Sequence, residues 1–89
     1  MITGHNTEVK HNNVVFHVQT EDKGIGDATI VSLIYVGGRV LTARRTSYAE
    51  KLGEGLDESG IAKLMERQHR TMVVAIRPTS RRAFRFSAM

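Results

Sequence analysis

The sequence predicts an α+β fold: a four-stranded antiparallel β-meander followed by one long C-terminal α-helix packed on one sheet face. Two β-rich runs flank Gly37-Gly38, a composition typical of a tight hairpin. An Asn-rich turn separates two further runs near the N-terminus. After Asp57, apolar residues recur at spacings of three and four, which indicates an amphipathic helix. Consecutive strands usually pair, so the strands are expected to form a meander.

The first hairpin joins residues 7–10 to a strand that begins at Val14, through His11-Asn12-Asn13. Asn tolerates the left-handed backbone conformation that such turns require. The polar residues 21–27 follow, with glycines at 24 and 26. A strand, rather than a helix, comes next, so this segment is interpreted as a plain loop and not as a phosphate-binding loop.

The third strand, residues 30–36, is apolar on both of its sides. One side carries Val31, Leu33 and Tyr35, and the other carries Ile30, Ser32, Ile34 and Val36. A sheet covered on one face should alternate apolar and polar residues. The second face is therefore expected to meet another surface, and a homodimer through the sheet is the simplest solution.

The helix is predicted to begin with Asp57 as N-cap and to end before Pro78. A short helical turn is expected at residues 47–52 in the preceding connector. The expected apolar stripe comprises Ile61, Leu64, Met65, Gln68, Met72, Ala75 and Ile76. Gln68 is the polar member of this stripe. A buried amide needs partners, so Gln68 is expected to hydrogen-bond into the sheet or across a dimer axis.

Length and composition indicate one domain, residues 1–78, followed by a basic tail, residues 79–89. The chain has no cysteine, which removes disulfides, zinc–thiolate sites and cysteine nucleophiles. No run approaches the roughly 18 apolar residues of a membrane span, and no signal peptide is recognisable. These features predict a cytoplasmic protein.

The positive charge is concentrated at the C-terminal end. Residues 1–66 hold seven Lys/Arg against nine Asp/Glu, a formal charge of −2. No acidic residue follows Glu66, whereas six arginines do, and the whole chain reaches +4. Basicity is thus a property of the C-terminal end rather than of the domain.

A row of polar side chains forms the first candidate site. His17, Gln19 and Glu21 share one side of the second strand, and His69 of the helix is a possible fourth member. A His–carboxylate pair could bind a divalent metal or act as an acid–base couple. His17 and Glu21 lie roughly 13 Å apart along a strand, however, so another element would have to supply further ligands. The competing interpretation is an ordinary solvated sheet face, and no metal or cofactor is predicted.

Arginines supply the second candidate site. The set consists of Arg44, Arg45, Arg77, Arg81, Arg82 and Arg85, interleaved near the end with Phe84 and Phe86. Arginine binds phosphate bidentately and aromatic rings stack on bases, so a nucleic-acid-binding arm is one interpretation. An arm that docks on an acidic protein groove and a simple solvated tail are the other two.

The predicted function is a non-enzymatic protein-interaction or assembly module, an adaptor that is expected to be homodimeric. Its contacts are expected from Leu33 and Tyr35 of the sheet, from Met65 and Met72 of the helix, or from Phe84 and Phe86 of the tail. The serines lack the context of a nucleophile motif and no triad can be assembled, so an enzyme is not predicted. Nucleic-acid binding is the alternative function. A metal-dependent enzyme using His17, Glu21 and His69 is a third class.

Several short motifs resemble those of a small, uncharacterised bacterial domain family. They are His5-Asn6-Thr7-Glu8, residues 16–22 (FHVQTED), Gly37-Gly38, Thr46-Ser47-Tyr48 and residues 64–69 (LMERQH). The resemblance covers residues 5–76 and excludes the arginine-rich end. It implies a module that stands alone or is joined to regulatory or extracellular-type domains. No activity is attached to that family, so the resemblance implies no catalytic residue.

Overall fold

The computed structural model describes residues 4–76 of the chain. These residues form a four-stranded antiparallel sheet in the order β1-β2-β3-β4, with a long helix on one face, which confirms the predicted fold. The elements are β1 (Gly4–His11), β2 (Val14–Asp22), β3 (Thr29–Val36), β4 (Arg39–Ser47), α1 (Ala49–Gly53) and α2 (Glu58–Ile76). The predicted tail, residues 79–89, and Pro78 lie outside the described residues.

Two-residue turns set the register of the outer hairpins. Asn12 and Asn13 both have positive φ, 52° and 64°, and Gly37 and Gly38 have φ of 58° and 80°. Positive φ at both central residues matches the right-handed twist of the flanking strands, which explains why Asn and Gly occupy these positions. A β-bulge interrupts the β3–β4 register at Ile34/Tyr35 and leaves an extra residue in β4.

Tyr48 connects the end of the sheet to the long loop before β3. Its side chain is 1% exposed, and its hydroxyl donates a 2.6 Å hydrogen bond to Asp22. Its backbone N–H donates to the carbonyl of Ala28 at 2.8 Å. Burial, together with the hydrogen bond and the negative charge of Asp22, raises the pKa of Tyr48 to about 12, so the phenol stays protonated and keeps its donor role.

Helix α2 begins as predicted, because an Asp57 carboxylate oxygen accepts a 2.9 Å hydrogen bond from the N–H of Gly60. Its 19 residues extend roughly 28 Å across β1, β2 and β3. The buried residues of the helix are Ile61, Met65, Gln68, His69, Met72, Val73 and Ile76. Ala75 was expected on this stripe, but it is exposed; Val73 is buried instead, because the helix presents the 69/73/76 side of its surface to β1 and β2.

The core consists of two hydrophobic clusters. One contains Val9, Val18, Ile34, Met72, Val73 and Ile76, and the other contains Ala28, Ile30, Tyr48, Ile61 and Met65. Between them, on β2 and β3, lie the fully buried hydroxyl residues Thr20 and Ser32, each 0% exposed. A polar layer therefore divides the helix–sheet interface into two apolar parts.

Among residues 4–76, no helix combines the length and the apolar character needed to cross a membrane.

Candidate functional site

The sheet face opposite α2 is arranged in rows that the strand register defines. One row runs Glu8, His17, Tyr35 and Val40 from β1 to β4. The next runs Asn6, Gln19, Leu33 and Ala43, and the third runs Gly4, Glu21, Val31 and Arg45. The β1–β2 half of this open face is polar, whereas the β3–β4 half is apolar apart from Arg45 at one corner.

The predicted polar row lies on this open face. His17 is 3.8 Å from Glu8 of β1, and both side chains are largely exposed. Glu21 pairs with exposed Lys23 at 3.4 Å. His69 projects from α2 onto the helix-covered face of the sheet. The sheet therefore separates His69 from His17, Gln19 and Glu21, which lie on the open face. The structure does not bring the four predicted residues together.

His69 is instead clamped between two threonines under the helix. Its Nε2 lies 2.7 Å from the Thr7 hydroxyl of β1, and its Nδ1 lies 2.8 Å from the Thr20 hydroxyl of β2. The ring of His5 is 5.4 Å away, centroid to centroid. Burial, and secondarily the neighbouring His5, lower the pKa of His69 below its usual 6.5, which favours the neutral ring. A neutral imidazole has one donor and one acceptor, and a hydroxyl complements either.

Gln68 continues the same network toward β4. Its amide Nε2 donates to the Ser32 hydroxyl at 2.9 Å and to the Arg44 carbonyl at 3.3 Å, and its Oε1 accepts from the Thr46 hydroxyl. Thr20 and Ser32 join the two halves through a 2.7 Å contact. The prediction that Gln68 bonds into the sheet is confirmed. The network touches all four strands, and none of the buried side-chain polar atoms of the described residues lacks a partner.

This network holds α2 in register on the sheet, and the Thr20 and Ser32 hydroxyls at its centre are closed to substrates. Thr20 and Ser32 expose no surface, so neither can approach an external electrophile in this conformation. Across the described part of the chain, no group of three or more His, Cys, Asp or Glu is placed to hold a metal ion. The His69 ring is held in place by the hydroxyl groups of Thr7 and Thr20.

The predicted contact residues fall into three groups. Leu33 and Tyr35 lie half-buried on the open face, where a partner can reach them. Met65 and Met72 are 2% and 7% exposed and pack in the two core clusters, so the expectation that they form a contact surface is wrong. The methionine spacing places both side chains under the helix, against the sheet. Phe84 and Phe86 lie outside the described residues.

The predicted arginines are only partly within the described region. Arg44 and Arg45 are exposed neighbours on β4, but strand alternation sends them to opposite faces of the sheet. Arg44 pairs with buried Ser32 and faces the helix side, whereas Arg45 pairs with Val31 on the open face. Neither side chain makes an ion pair with any residue between 4 and 76. Arg77, Arg81, Arg82 and Arg85 lie outside the described residues.

A groove separates α2 from β4 on the helix side. It has a volume of about 160 Å³ and is partly open to solvent. Its lining consists of Ile30, Arg44, Thr46, Leu64, Arg67, Gln68 and Thr71. Two guanidinium groups thus border a partly aliphatic surface whose lining also includes the Gln68 amide and two threonines, and none of the lining residues is acidic.

Sequence reasoning missed Thr20, Ser32, Tyr48 and Arg67. Thr20 follows Phe16 and Val18 at a spacing of two, and Ser32 lies between Ile30 and Ile34 in the same way, so strand parity predicts both on the core face. A polar residue at a core position of an otherwise apolar strand face was the signal that could have indicated a buried hydrogen-bond network. Tyr48 and Arg67 gave none, because their partners Asp22 and the β4 groove are brought near only by the fold.

Comparison with known proteins finds no matching family model, no similar curated protein and no similar solved structure.

Proposed function

We propose that this protein is a non-enzymatic interaction and assembly module that forms a homodimer through the open face of its sheet. The observation that carries the proposal is the apolar β3–β4 half of that face, with Leu33 and Tyr35 half-buried and Val40 53% exposed. Within the described region α2 packs on the other face of the sheet. The proposed setting is the cytoplasm, as the sequence predicts.

A second copy of the chain fits this face by charge as well as by apolarity. Consider a two-fold axis that runs along β3, midway between two stacked sheets. This axis places each row of the open face against the same row of the partner, with the order of the strands reversed, so that β4 of one copy faces β2 of the other. Leu33 and Tyr35 then face their own counterparts, as in an isologous interface. Arg45 of one copy faces Glu21 of the other, because these residues flank Val31 in one row. Two sheets packed in this way lie about 10 Å apart.

Charge reversal tests this arrangement directly. Arg45→Glu is expected to weaken the dimer because it sets two carboxylates against each other. Glu21→Arg is expected to weaken it as well, because it sets two guanidinium groups against each other. The double variant Arg45→Glu/Glu21→Arg is expected to restore the dimer by exchanging the signs of the pair. Arg44→Glu is the matched control, since it makes the same charge change on the adjacent residue but on the opposite face. Sedimentation equilibrium gives the dimer dissociation constant for each variant.

The apolar contribution is tested with Leu33→Asp. A carboxylate at the centre of the interface is expected to leave a folded monomer, because burying an unpaired charge is costly. Circular dichroism checks the fold, and Thr42→Asp on the exposed helix side of β4 is the control. A wild-type chain that sediments as a monomer, or a dimer that survives both Leu33→Asp and Arg45→Glu, would contradict the proposal.

Nucleic-acid binding is the second candidate, and the exposed, unpaired arginines of β4 favour it. Arg44 and Arg45 point to opposite faces, however, and the open face that carries Arg45 also carries Glu8 and Glu21. A titration of labelled single- and double-stranded nucleic acid at about 50 and about 200 mM salt tests it. Tight binding that falls steeply with salt would favour this candidate over the interaction module.

A further inference from the structure

We propose that the free edge of β4, together with the groove beside α2, binds an extended partner segment in which acidic and apolar side chains alternate. The segment adds to the sheet as a fifth strand. This inference rests on the interaction role proposed above and names the chemistry of the partner; the edge of β4 adjoins the dimer interface and shares Val40 with it.

Strand β4 is the most exposed strand of the sheet. Eight of its nine residues are exposed, although its neighbour β3 is almost entirely buried or half-buried. β4 pairs with β3 along one edge, and among the strands of the described region none pairs with its other edge. An edge strand presents a row of unpaired N–H and C=O groups that an added strand can bind. β4 has no proline, and its apolar Val40 and Leu41 are 53% and 58% exposed, so its edge is open to pairing.

The rim of the groove is cationic. Arg44 projects from β4 and Arg67 from α2 around the aliphatic side chains of Ile30 and Leu64. Neither guanidinium makes an ion pair with a residue in the described range. Guanidinium groups bind carboxylates bidentately, with defined geometry. The groove is therefore suited to an acidic side chain that approaches over an apolar surface.

The residues outside the described range carry no negative side chain. Residues 1–3 and 77–89 include no Asp or Glu, whereas residues 77–89 add four arginines. These residues therefore add positive charge and supply no carboxylate side chain for Arg44 and Arg67.

The geometry of an added strand predicts which side chains the partner segment carries at alternate positions. Side chains of an added strand alternate between the two faces of the sheet. On the helix side they would approach Arg44 and Arg67, which favours Glu or Asp. On the open side they would lie beside Val40 and Ala43, which favours aliphatic residues up to the corner occupied by Arg45. Main-chain hydrogen bonds supply affinity in this mode of recognition, and the alternating pockets supply specificity. The groove lining contains no aromatic ring for base stacking, which argues against a nucleic-acid strand.

The probe is a labelled eight-residue synthetic peptide of alternating glutamate and valine, titrated into the full-length protein. A peptide with lysine in place of glutamate tests charge, and one with its glutamates and valines in two separate blocks tests alternation. The variant Arg44→Gln/Arg67→Gln removes both rim cations. Lys63→Gln/Arg70→Gln is its charge-matched control, because both residues are exposed on α2 outside the groove lining.

We expect saturable binding of the alternating peptide, weakened roughly tenfold or more by Arg44→Gln/Arg67→Gln and little by the control. Backbone amide resonances of β4 should shift on binding, and Leu33→Asp should still bind the peptide if only the dimer interface is lost. The inference is overturned if the block peptide or the lysine peptide binds equally well, if β4 amides do not shift, or if single-stranded nucleic acid competes for the same arginines more tightly than the peptide. Light scattering on the same samples reports the dimer separately, so failure of one proposal is distinguishable from failure of the other.

Discussion

Single polar side chains decide how α2 meets the sheet. His69 and Gln68 are each 8% exposed, far more buried than their residue types usually are, and each is retained by partners from several strands. Leaving one such group unpaired costs about 1–3 kcal/mol, so the network stabilises one helix position against its alternatives. A wholly apolar interface would let the helix slide more easily.

His69 makes stability dependent on pH. Its pKa is lowered in the folded protein, so the unfolded chain binds more protons between the folded pKa and the usual value of 6.5. The contribution of neutral His69 to the free energy of unfolding is complete above pH 6.5 and is lost as the pH falls through the folded pKa. Urea unfolding at several pH values should show this decline, and His69→Gln should reduce it.

His17→Gln is the control, because His17 is exposed on the other face of the sheet. This variant should keep the acid-induced decline. An NMR titration in which the His69 ring protonates at or above pH 6.5 would contradict the prediction, as would an unchanged pH dependence in His69→Gln.

At the level of elements, local signals explain where each strand and helix begins and ends. Positive φ at Asn12-Asn13 and Gly37-Gly38 fits the side chains found there, and Asp57 caps α2. The short helix α1 and the Tyr48–Asp22 hydrogen bond then carry the chain from the end of β4 to α2.

The cap of α2 gives a prediction at this scale. Asp57→Ala removes the acceptor for the Gly60 N–H and should lower the free energy of unfolding by about 1 kcal/mol. Asp57→Asn keeps an acceptor and should retain most of the stability. Equal losses in the two variants, measured by urea denaturation, would show that the carboxylate charge rather than the cap is responsible.

At the scale of the whole molecule, the polar layer divides the core into two clusters that rest on opposite ends of the sheet. Ile30 belongs to one cluster and Ile34 to the other, and four residues of strand place them about 13 Å apart. Packing changes at sites this far apart, with no shared partners, are generally independent.

Ile30→Val and Ile34→Val should each cost about 0.5–1.5 kcal/mol, and the double variant should equal their sum within about 0.5 kcal/mol. Ile34→Val combined with Val18→Ala is the comparison, because both residues lie in one cluster and should couple. Chemical denaturation of the single and double variants gives the interaction free energies. A large coupling between Ile30 and Ile34 would mean that the polar layer does not separate the clusters.

The candidate site was less predictable than the fold. Period-two alternation correctly placed Leu33 and Tyr35 on one face of β3, and the apolar character of both faces pointed to a contact there. The same alternation could not relate His69 to the His17 row, because α2 lies across the sheet only after long-range packing. Met65 and Met72 were expected at a contact surface but are buried in the core. An apolar stripe has the same sequence pattern whether it packs in a core or contacts a partner, so the pattern could not distinguish the two.

By itself the sequence determined the element order, the two tight turns, the helix cap and the polar role of Gln68. All of these depend on backbone preferences and on neighbours close along the chain. Only the tertiary structure decided that His69 lies between Thr7 and Thr20, that Arg44 and Arg45 serve opposite faces, and that Arg67 approaches β4 across a groove. These features depend on which side of α2 packs against which face of the sheet formed by β1, β2 and β3. That arrangement is set by the total apolar surface that the helix and the sheet bury together.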